Sequence, residues 1–153
     1  MSQEKFIIFR LSQKNNEKLD ELYKSIDREY KPEISKFMLY AVAAAYAFSM
    51  EKREPVSEPV DIARGEFLAR PEYQNVSLLI ESIWAYKKDV ISGIDKYRLF
   101  EEYANAGANL LYELFKDSEE DLEHFIDNFE LRVLEEIQNN PFLKEELSRF
   151  GEE

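Results

Sequence analysis

The sequence predicts an all-α protein: about six helices in one compact domain, with one short strand at the N-terminus. Three observations carry that prediction. Apolar residues recur at spacings of three and four over most of the chain. Only four glycines and five prolines punctuate 153 residues, which leaves room for long helices. β-Branched and aromatic residues run together in one short stretch, Phe6-Ile-Ile-Phe9.

Taken in order, Lys5–Leu11 has the length and residue types of a strand. Ser12 caps a helix from Gln13 to about Arg28, whose Leu19, Leu22, Tyr23 and Ile26 share a face. Pro32 suits a first helical turn, and a second helix follows over Ile34–Met50. Its stretch Phe37–Phe48 is apolar almost all round, the pattern of a helix buried at the centre of a domain or of a dimer. Glu51–Pro59 reads as a linker or crossing loop, and Asp61–Ala69 as a short helical turn. Pro71 opens a third helix to about Lys88, with Leu78, Leu79, Ile83, Trp84 and Tyr86 turned inward or partly so. Asp89–Gly93 breaks it, and Ile94–Lys116 forms a fourth, with Tyr97, Phe100, Tyr103, Ala104, Gly107, Leu111, Leu114 and Phe115 in register. Ser118, with Asp121 three residues on, is a capping-box-like start for a fifth helix to about Gln138. Asn140-Pro141 starts a sixth, which frays at Gly151. The domain reading is a strand–helix–helix unit over 1–50, a linker over 51–60, and an acidic helical bundle over 61–153 packed as one domain with 1–50.

Charge and composition bound the function. There are 20 Lys+Arg against 32 Asp+Glu, a formal net charge of −12. The imbalance is local: residues 1–56 carry ten basic and nine acidic side chains, whereas from Glu113 onward the count is four against fourteen. Such a surface repels nucleic acid and anionic membrane at long range, so any nucleic-acid contact falls to residues 1–30. With no cysteine there are no disulfides, thiolate nucleophiles or cysteine-held metals, and one histidine excludes sites that need two imidazoles. No glycine motif that cradles phosphates occurs. The longest apolar run, Phe37–Phe48, is shorter than the ~18 residues that span a bilayer. The N-terminal run, interrupted by Arg10, is too short for a signal-peptide core. The expectation is a cytoplasmic protein with no membrane contact, no cofactor, no metal and no catalytic residue. It is expected to form a homodimer, because the 37–48 helix looks too apolar for one small domain to cover.

The residues that carry candidate chemistry are few. His124 shares a helical face with Glu120 at i, i+4, but a di-iron bundle site needs a second such unit, so it reads as a surface imidazole. The neighbouring carboxylates Glu101-Glu102, Glu119-Glu120-Asp121 and Glu135-Glu136 point about 100° apart on a helix and read as solvated faces. Gly107 stands in a helix interior, where glycine costs ~1 kcal/mol against alanine. Close packing of another helix offsets that cost in one reading. In the other, Gly107 with Asn105 and Asn109 marks a recognition surface.

Two family resemblances follow from particular strings. FIIFRLS, QKNNEKLDELYKSI, DREYKPE and ISKFMLYAVAAAYAF, in that order, resemble the strand–helix–loop–helix of a ribbon–helix–helix repressor. In that family two chains pair their strands and lay the ribbon in the major groove. The resemblance implies a dimeric DNA-binding regulator, with Lys5, Arg10, Lys14 and Lys18 as candidate DNA contacts. A second resemblance covers most of the chain. Leu22-Tyr-Lys-Ser-Ile, Lys36-Phe-Met-Leu-Tyr-Ala-Val-Ala-Ala-Ala-Tyr and Glu51-Lys-Arg-Glu-Pro-Val56 look like the opening of a family of small accessory proteins. These are found with DNA phosphorothioation (Dnd-type) modification–restriction systems. Phe100-Glu-Glu-Tyr-Ala-Asn-Ala-Gly107 matches that family's later helix, while the FIIFRL strand is an addition. The resemblance implies a non-enzymatic adaptor in phage defence that binds a protein partner, with Phe100, Tyr103, Asn105, Gly107 and Asn109 as candidate interface. A third reading, from charge alone, is an acidic DNA mimic acting through residues 113–153.

Overall fold

The computed structural model describes residues 7–30 and 34–139. Two compact units divide the chain, Met1–Glu113 and Leu114–Glu153. Five α-helices are present among the described residues: α1 (Gln13–Tyr30), α2 (Lys36–Ser49), α3 (Gln74–Lys87), α4 (Lys96–Asp117) and α5 (Leu122–Asn139). The expected sixth helix, from Asn140-Pro141 to Gly151, lies outside the described residues.

In the first unit the expected strand is real but is not alone. β1 (Ile8–Ser12) pairs antiparallel with β2 (Pro59–Arg64), Phe9 opposite Ala63 and Leu11 opposite Val60, with one register shift between Phe9 and Arg10. Outside the paired residues, Gly65 N–H donates to Ile7 O at 2.7 Å and Gln13 N–H to Glu58 O at 3.0 Å. β2 lies where the sequence reads as loop and helical turn. Six residues that open on a proline carry too little periodicity to announce a strand; it forms because β1 presents a row of backbone groups to be paired. Two 3-10 turns, Gly65–Ala69 and Pro71–Tyr73, lead into α3, which therefore begins after Tyr73 rather than at Pro71.

Phe9 is the centre of this unit's core. It is fully buried, and the rings of Phe37, Tyr40, Tyr97 and Phe100 surround it at 5.4, 6.0, 6.2 and 6.0 Å. From α1 come Leu19 and Leu22, both fully buried, while Tyr23 and Ile26 are half-buried. α2 is buried on most of its circumference within this one chain, from Phe37 to Ala47. A second copy is thus not required to cover it, contrary to the reason given by the sequence for a homodimer. α3 buries Val76, Ile80 and Ile83, spaced four and three apart, and this turns Leu78 and Tyr86 outward instead of inward.

α2 ends without glycine. Lys52 N–H donates to Ala47 O at 2.9 Å and Glu51 N–H to Phe48 O at 3.0 Å, the paired bonds of a Schellman motif. Its left-handed position is filled by Glu51, with φ 56°.

In the second unit, Leu114, Phe115, Ser118, Leu122 and Phe125 are buried, the two phenyl rings meeting edge-on at 5.8 Å. Ser118 does not start α5. Its hydroxyl donates back to Leu114 O at 2.7 Å, closing α4, and Asp121 caps α5 by accepting from His124 N–H at 3.0 Å. The turn between them holds Glu119 and Glu120 at φ 59° and 57°, so the capping box read from Ser118 and Asp121 is two separate caps.

A left-handed residue with a β-carbon costs about 1–2 kcal/mol that glycine avoids, part of which glycine returns through its freer unfolded chain. Glu51→Gly is expected to stabilise the protein by roughly 0.5–1 kcal/mol, read as a rise in the urea midpoint at unchanged slope.

Candidate functional site

The polar groups that the sequence offers as a site converge on one line, where α4 runs alongside β1. Antiparallel pairing with β2 engages the backbone groups of alternate residues of β1 and leaves those of Ile8, Arg10 and Ser12 facing away. Side chains of α4 meet them in order. Arg98 Nη1 donates to Ile8 O at 3.1 Å, Glu101 Oε2 accepts from Arg10 N–H at 3.0 Å, and Asn105 Oδ1 accepts from Ser12 N–H at 3.0 Å. The match is metric. Four residues of helix rise about 6.0 Å, and two residues of strand about 6.7 Å, so acceptors at i and i+4 meet alternate N–H groups. On the same edge, Tyr40 of α2 donates its hydroxyl to Arg10 O at 3.2 Å.

Glu101 is 2% exposed. Its carboxylate also holds the Arg10 guanidinium, Nε to Oε2 at 3.1 Å and Nη2 to Oε1 at 3.0 Å, and Arg98 Nη1 at 2.6 Å. The bond to Glu101 raises the Arg10 pKa above its already high ordinary value. Glu101 is therefore no part of a solvated acidic face: it is a buried anion shared by two arginines, the arrangement that a buried charge needs. Its neighbour Glu102 behaves differently. Partial burial raises its pKa, and Arg53 stands 3.7 Å away.

One turn further on, Asn105 is fully buried. Its amide donates to Ser12 Oγ at 3.1 Å, Glu54 O at 3.1 Å and Pro55 O at 3.2 Å, and its oxygen also accepts from Asn15 Nδ2 at 2.9 Å. Asn15 donates in addition to Glu54 Oε2 at 2.7 Å. This cluster ties the start of α1, the chain before β2 and α4 to one side chain. Asn109, the next residue on that face, accepts from Lys18 Nζ at 2.5 Å and donates to Glu113 at 3.1 Å.

The other candidate interface residues also turn inward. Phe100 is fully buried in the ring cluster around Phe9, and Tyr103, 3% exposed, meets Phe48 edge-on at 5.4 Å. Gly107 faces α2: a β-carbon there would stand 1.9 Å from Ala43 O. Of the two readings for this glycine, the structure supports the close helix crossing. Candidate DNA contacts are distributed as follows. Lys5 lies outside the described residues, Arg10 is held by Glu101, and Lys18 by Asn109. Lys14 stands 3.7 Å from Glu54 with its side chain 66% exposed.

Sequence reasoning misses Glu101 and Arg98. The signal available was an acid and an asparagine at i, i+4 inside the apolar register Tyr97–Phe100–Ala104–Leu111, where neither can stay without partners. His124 is exposed beside its cap Asp121, and no group of three or more His, Asp or Glu placed to hold a metal ion occurs among the described residues. No helix among them is long and apolar enough to cross a membrane. No protein-family model, curated protein or solved structure matches this chain.

Helix propensity alone would make Gly107→Ala stabilising by ~1 kcal/mol, whereas the crossing makes it a backbone clash. Overpacking wins: the variant is expected to lose about 2–3 kcal/mol in urea unfolding.

Burial, helped by the negative Glu101, holds the Tyr40 phenol well above its ordinary 10.0. Unfolded tyrosine ionises near pH 10, while native Tyr40 stays neutral, so its contribution is complete below pH 10 and is lost as pH rises toward the native value. Tyr103 is shifted the same way, chiefly by burial. Stability is expected to fall above about pH 10, and less steeply in Tyr40→Phe, when urea midpoints are measured from pH 8 to 12.

Proposed function

We propose that this protein is a non-enzymatic accessory protein of a prokaryotic DNA-modification (phosphorothioation) restriction or defence system, acting by binding a protein partner. The observation that carries this reading is the outward face of α5. Leu131 and Leu134, three residues apart, are 56% and 53% exposed, and Asp127 and Glu130 precede them by one turn on the same face. An apolar pair rimmed by carboxylates fits a partner surface that is apolar at its centre and basic at its edge.

The buried line on α4 takes the Phe100–Gly107 helix out of the candidate interface. Both oxygens of Glu101 and the whole amide of Asn105 are bound to groups of this chain, so the polar residues of the Phe100–Gly107 helix serve the fold. Partner binding then falls to the exposed faces. The setting, phage defence through modified DNA, rests on the resemblance of residues 22–56 and 100–107 to the accessory family.

For a ribbon–helix–helix regulator, a strand edge must be free to pair with a second chain. β1 has β2 on one edge and α4 on the other, which weighs against that alternative.

Fluorescence anisotropy with short duplexes, plain and phosphorothioated, is expected to show no binding at low salt. Salt-sensitive binding there would favour the regulator. Titration against the purified modification and restriction proteins of a phosphorothioation system is expected to find one partner. Leu131→Asp with Leu134→Asp should raise its Kd at least about tenfold, since each buried leucine contributes ~1.5–3 kcal/mol. Absence of binding to every such protein would refute the adaptor reading.

A further inference from the structure

The turn between α4 and α5 is closed under strain. Glu119 and Glu120 stand one after the other in the left-handed region, at φ 59° and 57°, which a residue with a β-carbon disfavours. Glutamate is a good helix former, and the chain from Lys96 to Asn139 holds no proline and only Gly107, inside α4, as a glycine. Short, strained hinges of this kind invite exchange between copies.

A second observation points the same way. Leu111, Phe115, Ser118, Leu122, Phe125 and Phe129 follow one another at spacings of four, three, four, three and four, the seam of a coiled coil. That register passes through the turn without interruption. A hairpin needs each helix to bury its own face, but it does not need one register common to both. One continuous helix does.

The register is also symmetric. Phe115 lies five residues before Glu120 and Phe125 five after it, and the pairs Ser118 with Leu122 and Leu111 with Phe129 share that centre. In the closed turn the rings of Phe115 and Phe125 meet edge-on at 5.8 Å. If α4 and α5 run on as one helix, two copies crossing antiparallel about an axis at Glu120 set each Phe115 on the other copy's Phe125. The contact that closes the hairpin then joins the copies, so no new surface is needed. Backbone hydrogen bonds are kept as well, because the N–H groups that open α5 and the carbonyls that end α4 pair within the continuous helix.

We propose that this chain exchanges α5 with a second copy, the turn Ser118–Asp121 straightening so that α4 and α5 form one helix in each member of the dimer. Charge opposes the exchange: Asp117, Glu119, Glu120, Asp121 and Glu123 of both copies gather near the axis, and the closed form prevails until salt screens them. The proposal is independent of the partner surface on α5. Leu131 falls on the opposite side of the helix from Phe115, so the dimer carries that surface twice.

Sedimentation equilibrium of the full chain in about 0.5 M sodium chloride, from about 1 μM to 1 mM, tests it through the turn. Glu119→Ala with Glu120→Ala and Glu119→Gly with Glu120→Gly carry the same charge. They differ in what the turn prefers, since glycine relaxes in the left-handed region and alanine in the continuous helix. Both side chains are exposed, so neither pair of changes removes a buried contact. The alanine pair is expected to dimerise at least about tenfold more tightly than the glycine pair, with the wild type between them. A chain that stays monomeric to about 1 mM in the wild type and the alanine pair alike would overturn the proposal. So would a dimer that is as tight in the glycine pair as in the alanine pair, because its contact would then lie elsewhere.

Discussion

The structure of the first unit depends on one constraint: β1 has a single strand for a neighbour, and its other edge must still be satisfied. Ser12 and Asn15 are buried with it, so water cannot do this. An unpaired buried N–H costs about 1–3 kcal/mol, and two such donors, from Arg10 and Ser12, face α4. A third strand is the usual answer. Here a helix answers, because acceptors one turn apart on α4 fall close enough to the strand repeat to serve alternate residues. The order Arg98–Ile8, Glu101–Arg10, Asn105–Ser12 shows that α4 runs in the same direction as β1.

The remaining packing follows from that placement. Once α4 lies against β1, Phe100 and Tyr97 are carried to the ring cluster around Phe9, and the glycine two residues past Asn105 is brought against Ala43 of α2. A buried carboxylate would ordinarily be a liability. It is tolerated because the group that it serves through the backbone, Arg10, also supplies the guanidinium that neutralises it. The closed edge has a further consequence. A two-stranded ribbon with both edges of β1 engaged offers no template there for pairing with other chains.

The helices were legible because they are long and periodic, and Leu19, Leu22 and the α2 run lie where the spacing puts them. β2 was not, since its partner is some fifty residues away and its own pattern is short. The inward face of α3 was misjudged for another reason. Leu78, Leu79, Ile80 and Ile83, Trp84, Tyr86 ring the helix with apolar groups, and only the neighbours decide which arc is covered. Glycine was a poor guide to helix ends, because Glu51 and Glu119 occupy left-handed positions where glycine is the common choice. For the candidate site, Gly107 was legible as either a crossing or a recognition surface, and only the approach of Ala43 decides for the crossing. Glu101 was not, because a carboxylate doublet on a helix looks solvated until the strand opposite it is known.

That last misreading bears on what a motif can say about function. Each residue from Phe100 to Gly107 has a structural duty: Phe100 and Tyr103 pack rings, Glu101 and Asn105 close the strand, Glu102 faces Arg53, the alanines are buried, and Gly107 admits α2. A string in which every position is required by packing or by backbone hydrogen bonds can be shared by proteins that need the same hub and bind different things. The resemblance carried by this helix therefore speaks first to architecture. What distinguishes one such protein from another has to lie on residues that the hub leaves alone.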